Sequence, residues 1–390
     1  MSNWPNYSNE EIDAVVKVLN SGRVNYWTGK EGKLFEKEFS NFASVKHSIA
    51  LSNGSLAIFL ALKGIDIGKN DEVIVTSRSF IASASEVVNI GAKPVFVDVD
   101  LNTQNITAKT IKRFITNKTK AIICVHLAGW PCEMDEIITL AKENNIYVIE
   151  DCAQAHGAKY KNKSVGSFGD IGCWSFCQDK IISTGGEGGM VTTNNSELWK
   201  KMQSFKDHGK NFTLLETKKI NTTFRWLHDS IGTNFRMTEI QATIGRLQLK
   251  KIPIWQNARY NNATRIFECA SKYRALRVPE IPDYIKHAFY KCYIFVDQDL
   301  LLDSWSRDKI IYEFNRLGTP CFSGTCPEIY LEKSFQDLGY SPNYRFPNAR
   351  KLGETSIMFL VDQTLETDYI SKVCKNMDLI MSQASSDNGT

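Results

Sequence analysis

The sequence predicts an α/β protein: a large three-layer α/β/α domain on a mostly parallel sheet, followed by a smaller C-terminal α+β domain. Three observations carry this. From about residue 46 to residue 195, short β-branched runs alternate with longer helical patterns, as parallel strands joined by crossovers require. The chain has 390 residues and 43% hydrophobic content, more than a single small core needs. Beyond about residue 250 the alternation gives way to two apolar runs set among helical segments.

In chain order, the strand candidates are Glu72 to Thr76, Pro94 to Asp98, Ala121 to Leu127, Tyr147 to Asp151, Gly172 to Phe176 and Met190 to Thr193. Helical segments lie between them at Ile58 to Lys63, Ala82 to Ile90 and Met134 to Glu143, and such crossovers cover both faces of a sheet. Met237 to Ile254 reads as a long helix closed by Pro253, and the domain boundary is placed there: residues 1–250 large domain, 251–382 small domain. In the small domain, Tyr290 to Val296 and Ser356 to Val361 read as strands, with helices around Ser306 to Leu317 and Ala349 to Glu354. The tail 383–390 is small and polar and is expected to be disordered.

Lys plus Arg number 47 and Asp plus Glu 43, a net charge of +4 with no long basic run, so nothing demands nucleic acid or a membrane surface. No uncharged run reaches bilayer length, and the N-terminus lacks a basic segment followed by an apolar one; a cytoplasmic protein is expected. None of the ten cysteines forms a CxxC pair, so they read as reduced thiols and no metal site is expected.

Parallel sheets bind ligands at the carboxyl ends of their strands, which directs attention to the polar residues there. Tyr147-Val-Ile-Glu-Asp151 ends in a carboxylate, and the run from Gly172 brings Lys180 shortly after the next strand, ahead of Ser183-Thr-Gly-Gly-Glu-Gly-Gly189. Leu51-Ser-Asn-Gly-Ser55 precedes an apolar helical run, so the amides of Gly54 and Ser55 fall at a helix N-terminus that favours phosphate. Phe80 follows another strand end and offers a flat ring. The ordinary roles of these residues are a solvated lysine, a helix cap, a capped turn and a core aromatic. Together they supply what a pyridoxal cofactor needs: an amine for its aldehyde, an acid for its ring nitrogen, an anion site and a stacking partner.

The set occurs in an order that resembles the DegT/DnrJ/EryC1/StrS sugar aminotransferases, a branch of the fold-type I pyridoxal-phosphate enzymes. The resemblance runs from Trp27 to Leu365. It is carried by Ser52-Asn-Gly-Ser-Leu-Ala57, Gly91-Ala-Lys-Pro-Val-Phe-Val-Asp98, Val125-His-Leu-Ala-Gly129, Ile149-Glu-Asp-Cys-Ala-Gln-Ala-His-Gly157, Gly166-Ser-Phe-Gly-Asp170, Gly185-Gly-Glu-Gly-Gly189 and Asn234-Phe-Arg-Met237. It implies pyridoxal 5′-phosphate as cofactor, with Lys180 as Schiff-base lysine, Asp151 as partner of the ring nitrogen and Gln154 as a contact to the ring hydroxyl. It also implies Gly54, Ser55 and Ser175 as phosphate ligands, completed by Asn234 from a second subunit. A homodimer with composite sites follows. Arg78, Ala128 and Phe235 depart from the residues common in the family, at positions expected near the substrate mouth. A related branch that removes a sugar hydroxyl carries histidine in place of the lysine; Lys180 favours transamination.

The activity implied is transfer of an amino group from L-glutamate to a nucleotide-linked 4-keto-6-deoxy sugar, in the biosynthesis of amino sugars for surface polysaccharide such as lipopolysaccharide. Lys180 would serve both as tether and as general base. The loop Ile181 to Met190 looks closer to members acting at C4 than at C3, and Arg23, Lys30 and Arg236 are the candidates for holding the diphosphate. An aminotransferase for 3-keto sugars is the near alternative. A non-catalytic regulator is the alternative of another class, but no helix-turn-helix or basic stripe supports it, and it would leave Lys180 and Asp151 without purpose.

Overall fold

The computed structural model describes residues 2–212, 214 and 226–385. Among the described residues, nine strands precede the long central helix: β1 His47–Leu51, β2 Glu72–Thr76, β3 Lys93–Val97, β4 Thr119–Val125, β5 Tyr147–Asp151, β6 Lys159–Tyr160, β7 Lys163–Ser164, β8 Ile171–Ser175 and β9 Gly189–Thr193. Seven of them form one sheet in the order β1-β9-β8-β5-β4-β2-β3. The pairs β2–β3, β2–β4, β4–β5 and β5–β8 are parallel, whereas β9 runs antiparallel to both neighbours, β8 and β1. The central strands are buried along most of their length, with only Lys120 of β4 and Tyr147 of β5 exposed, which is why they read as continuous Val/Ile runs: Val73, Ile74 and Val75, then Ile122 and Ile123, are fully covered.

Helices cover both faces. Gly54–Gly64 is capped by Asn53, whose side chain accepts from Leu56 N at 2.9 Å, and it buries Ala57, Ile58, Leu60, Ala61 and Leu62 in the main core. On the other side, Glu31–Ala43 lays Phe35 and Phe39 against Trp174 and Phe176.

The smaller domain holds a four-stranded antiparallel sheet in the order β10-β12-β14-β13, with β10 Leu276–Arg277, β12 Cys292–Val296, β13 Cys321–Phe322 and β14 Ser356–Phe359. The remaining strand, β11 Ile285–Lys286, pairs with β6 of the large domain and β6 with β7. The helices Arg307–Arg316 and Thr367–Ala384 pack on the four-stranded sheet and bury Ile310, Phe314, Ile370, Val373, Met377 and Met381.

Two expectations need correction. The long helix does not close at Pro253 but runs Glu239–Ala270, so the boundary expected at residue 250 falls inside a continuous helix. Pro253 lies on the exposed side, and buried Leu249, Ile252 and Gln256 around it hold both halves by tertiary packing, which outweighs the lost backbone bond. Nor does the polar tail begin before Ala384: the last helix reaches that residue because Ala384 itself is buried in the small core. Residues 386–390 of the expected tail lie outside the described residues.

Candidate active site

The carboxyl ends of β1, β2, β5 and β8 open into one cavity of about 750 Å³, roofed by the small domain. Gly54, Ser55, Phe80, Asp151, Gln154, Ser175 and Lys180 all line it. At one end the helix Gly54–Gly64 points its N-terminus at Ser175. A side chain at Gly54 would stand 2.5 Å from Ser175 Cβ, so only glycine lets the helix end approach β8 this closely. Asn53 caps Leu56 N, and Gly54, Ser55 and Ser175 line the cavity at this helix N-terminus, an arrangement whose dipole favours an anion.

Asp151 ends β5 and is buried. Its Oδ2 accepts from Ser83 Oγ at 2.8 Å and its Oδ1 from Ala153 N at 3.1 Å, so both hydrogen bonds come from neutral donors. Burial raises its carboxyl above the ordinary range, against the pull of Ser83, the Ala153 amide and Lys180. Ser83 is itself held by Ser79 at 3.1 Å. The backbone behind Asp151 is pinned by its neighbour Glu150, whose carboxylate accepts from Gly166 N, Phe168 N and Gly169 N and from His126 Nε2. His126 Nδ1 accepts from Cys132 N at 3.0 Å, which fixes the tautomer with the proton on Nε2. The buried group His126, Glu150 and Cys152 is thus a hydrogen-bonded brace whose histidine and carboxylate atoms are already engaged.

Lys180 follows β8 on a loop shaped by glycine: Gly185 and Gly186 have φ of +83° and +116°, and Gln178 N donates to Gly186 O. Its Nζ stands 3.7 Å from Asp179 Oδ1 and 5.1 Å from the ring centroid of Tyr290, whose hydroxyl donates to Asp179. Burial pushes the Asp179 carboxyl up, but Lys180, the Tyr290 hydroxyl and Lys291 outweigh it and leave the group below the ordinary range. The N-terminal segment braces the same loop: Trp4 Nε1 donates to Lys180 O at 2.7 Å, and the Tyr7 hydroxyl meets Ser183 Oγ at 3.0 Å. Gln154 lines the cavity, and its Oε1 accepts from Ala128 N at 2.7 Å, which leaves the amide Nε2 as its remaining polar group, a donor.

These groups fit pyridoxal phosphate. A buried carboxylate hydrogen-bonded only by neutral donors suits a protonated ring nitrogen, the exposed face of Phe80 suits the ring, and the serine-lined helix end suits the phosphate.

With this geometry in place, comparison with known proteins is decisive: residues 5–378 match the DegT/DnrJ/EryC1/StrS aminotransferase family. The chain belongs to that family. It is 54% identical to the aminotransferase of Psychrobacter cryohalolentis, whose X-ray structure superposes with a TM-score of 0.96 over 98% of both chains. It is 38% identical over 319 residues to the GDP-perosamine synthase of Caulobacter vibrioides, covering 80% of this chain and 81% of that one. It is also 38% identical over 288 residues to the UDP-N-acetyl-3-dehydro-alpha-D-glucosamine 3-aminotransferase of Acidithiobacillus ferrooxidans, 72% of each chain. The protein is therefore a fold-type I, pyridoxal-phosphate-dependent aminotransferase.

Not every residue singled out in the sequence reaches the cavity. Asn234 is exposed, and Arg23 and Lys30 lie exposed on the N-terminal part of the chain. Arg236 is committed to an ion pair with Asp207. The three departures from the family pattern are also placed differently from expectation, since none lines the cavity of its own chain. Arg78 is fully buried and ties the domains together, Nε to Gln104 and Nη2 to Ser356 Oγ at 3.2 Å. Ala128 adopts a left-handed φ of +57° that turns its amide to Gln154, and Phe235 packs on Phe59 and Phe205. Conversely, the sequence reading passed over Ser83, Asp179, Tyr290, Lys291 and Tyr293, all of which line the cavity. Only Lys291 left a trace, a lone lysine in the apolar run Phe289-Tyr-Lys-Cys-Tyr-Ile-Phe-Val296.

Among the described residues, no helix is long and apolar enough to cross a membrane.

Proposed function

We propose that this enzyme transfers the amino group of L-glutamate to carbon 4 of a nucleoside-diphosphate-linked 4-keto-6-deoxy sugar, with Lys180 as the tethering and proton-moving amine. The observation that supports the assignment of roles is the single cavity holding Lys180, Asp151 and the Gly54–Ser175 cradle together. When bound, pyridoxal phosphate supplies an aldehyde that links covalently to amines and a protonated ring that draws electrons from the adjacent carbon.

Each residue then has one task. Asp151, buried and held in place by Ser83 and Ala153, keeps the ring nitrogen protonated because its negative charge meets no other hydrogen-bonded cation. Gln154 would donate from Nε2 to the ring hydroxyl, and Phe80, which lines the cavity, would stack on the ring. Lys180 Nζ would tether the cofactor, and its amine is the group placed to take and return the proton at the substrate's α-carbon. Asp179 and Tyr290 keep that amine oriented over the cavity between the two states. Asn234 completes the phosphate cradle of a partner subunit in a homodimer, consistent with its exposure outside its own cavity.

The nucleotide-linked sugar as acceptor is supported by the names of both curated relatives, which carry a GDP-linked and a UDP-linked sugar. The C4 position rests on the loop Ile181 to Met190. Offered 3-keto and 4-keto nucleotide sugars separately with glutamate, the enzyme is expected to aminate only the 4-keto compound, with nitrogen at C4 of the product by mass spectrometry and NMR. Selective amination of the 3-keto compound would overturn the acceptor and leave the roles of Lys180 and Asp151 standing.

A further inference from the structure

Lys291 stands at the head of β12 and reaches the cavity from the small domain, opposite the strand ends that carry the other groups. It is half-buried, and its side-chain nitrogen makes no hydrogen bond or ion pair with any described residue. Its Nζ lies over the ring of Tyr290, 4.7 Å from the centroid. The Nζ of Lys180 lies 5.1 Å from the same centroid, so the two amines are separated by no more than the sum of those distances. An ammonium drawn out of water with no carboxylate in ion-pair contact, only the fields of Asp179 and Asp362 nearby, is a costly arrangement that an incoming anion relieves.

Four anionic groups have reason to enter this cavity if the reaction is the one proposed above, and glutamate's γ-carboxylate, two methylenes beyond the α-carbon, is held away from the carbon that reacts beside Lys180. The cofactor's phosphate has its own cradle at Gly54, Ser55 and Ser175. A sugar diphosphate lies a whole hexose ring away from a reacting C4, and so toward the mouth. The donor's α-carboxylate is bonded directly to the carbon that reacts beside Lys180. The geometry points to Lys291 as the residue that receives the α-carboxylate of the amino donor, acting as a specificity-determining group for the first half-reaction.

The charges around Lys291 agree with an anion receptor that is not already satisfied. Asp179 and Lys180 face it from the loop after β8, Arg259 from the long helix and Asp362 from beyond β14. Burial presses its ammonium down to about 8, with Arg259 and Lys180 adding to the effect and Asp179 and Asp362 opposing it. The receptor charge is therefore present at neutral pH and is lost as pH rises through that value.

The inference rests on the proposed roles of Lys180 and of an α-amino acid donor, and the experiment separates the two claims. Calorimetric titration of the cofactor-loaded enzyme with 2-methylglutamate, which lacks an α-hydrogen, measures donor binding without turnover; GDP and dTDP serve as diphosphate probes. Lys291→Gln is expected to weaken 2-methylglutamate about 10- to 100-fold while GDP or dTDP binding stays within about threefold, and Lys291→Arg to keep most of the affinity. Wild-type affinity is expected to fall above pH 8, with Lys291→Gln losing that decline. Unchanged binding of 2-methylglutamate, a loss confined to GDP and dTDP, or an equal loss for all probes would each overturn the inference. A wild type that accepts some other amino acid but not glutamate would overturn the donor named above, and the same comparison with that donor's 2-methyl analogue then decides Lys291.

Discussion

Asp151 can be tested by making the protein more stable and the enzyme worse with one substitution. Without cofactor, the buried carboxylate is hydrogen-bonded only by neutral donors and its pKa is raised by burial. The sign follows from linkage: with the folded pKa above the unfolded value of about 3.9, the penalty is absent below the unfolded value and grows as pH rises through the folded one. Asp151→Asn removes that charge and keeps the network, since an amide oxygen can accept from Ala153 N and the amide nitrogen can donate to Ser83 Oγ. At pH 8 the relief should be about 1–3 kcal/mol. For 390 residues the unfolding entropy is about 0.8 kcal/mol per degree, so apoprotein carrying Asp151→Asn should melt about 1–4 °C higher than wild type. Saturating cofactor reverses the order. Wild type gains about 4 kcal/mol at a thousandfold excess over Kd, whereas losing a buried charge pair weakens cofactor binding about 100-fold and leaves Asp151→Asn with about 1 kcal/mol of that gain. Turnover should fall at least about 100-fold. Differential scanning fluorimetry of apo and loaded protein at pH 8 and pH 5 reads all of this. An apo variant that melts well below wild type at pH 8, or an equal cofactor-induced rise in both proteins, would refute the reasoning.

Two further outcomes bear on the composite site. Borohydride reduction of loaded wild type followed by peptide mapping should place the cofactor on Lys180 and on no other lysine, and Lys180→Ala should abolish turnover; a tag elsewhere, for instance on Lys291, would reassign the tether. Mixing inactive Asn234→Ala with inactive Lys180→Ala under verified subunit exchange should restore up to about a quarter of the activity, through hybrid dimers in which one site is intact. No recovery would show that each site is built from a single chain.

The convergence of Gly54, Ser55, Phe80, Asp151, Gln154, Ser175 and Lys180 on one cavity was legible because a parallel sheet leaves its strand-end residues in sequence. Asp151 and Lys180 each follow an apolar run that could only be a buried strand, and Asn53-Gly-Ser55 announces a helix end before an apolar helix. Strand edges moved by one or two residues, as at Thr119–Val125 against the expected Ala121 to Leu127, without displacing any of these groups. The small domain was less legible. Its strands β10 and β13 are two residues long, and Thr367–Ala384 reads as a helix only when its buried stripe of Ile370, Val373, Met377 and Ile380 is followed through polar neighbours.

Three of the groups that were missed, Tyr290, Lys291 and Tyr293, reach the cavity across the fold from the small domain, and the contacts that place such groups join residues far apart in the chain. Tyr290 meets Asp179 from 111 residues away, and Trp4 reaches the Lys180 carbonyl from 176. Such contacts leave no periodicity and no spacing, because tertiary packing alone decides which side chains converge. The reaction machinery is therefore divided between two kinds of information. The groups proposed to hold the cofactor are written locally at strand ends on the sheet, while most of the groups around the Lys180 loop and the rest of the cavity come from the small domain and the N-terminal segment. Substitutions in the first set should change cofactor binding, spectrum and rate together. Substitutions in the second, Lys291 above all, should leave the bound cofactor as it is and change which donor or acceptor the enzyme accepts.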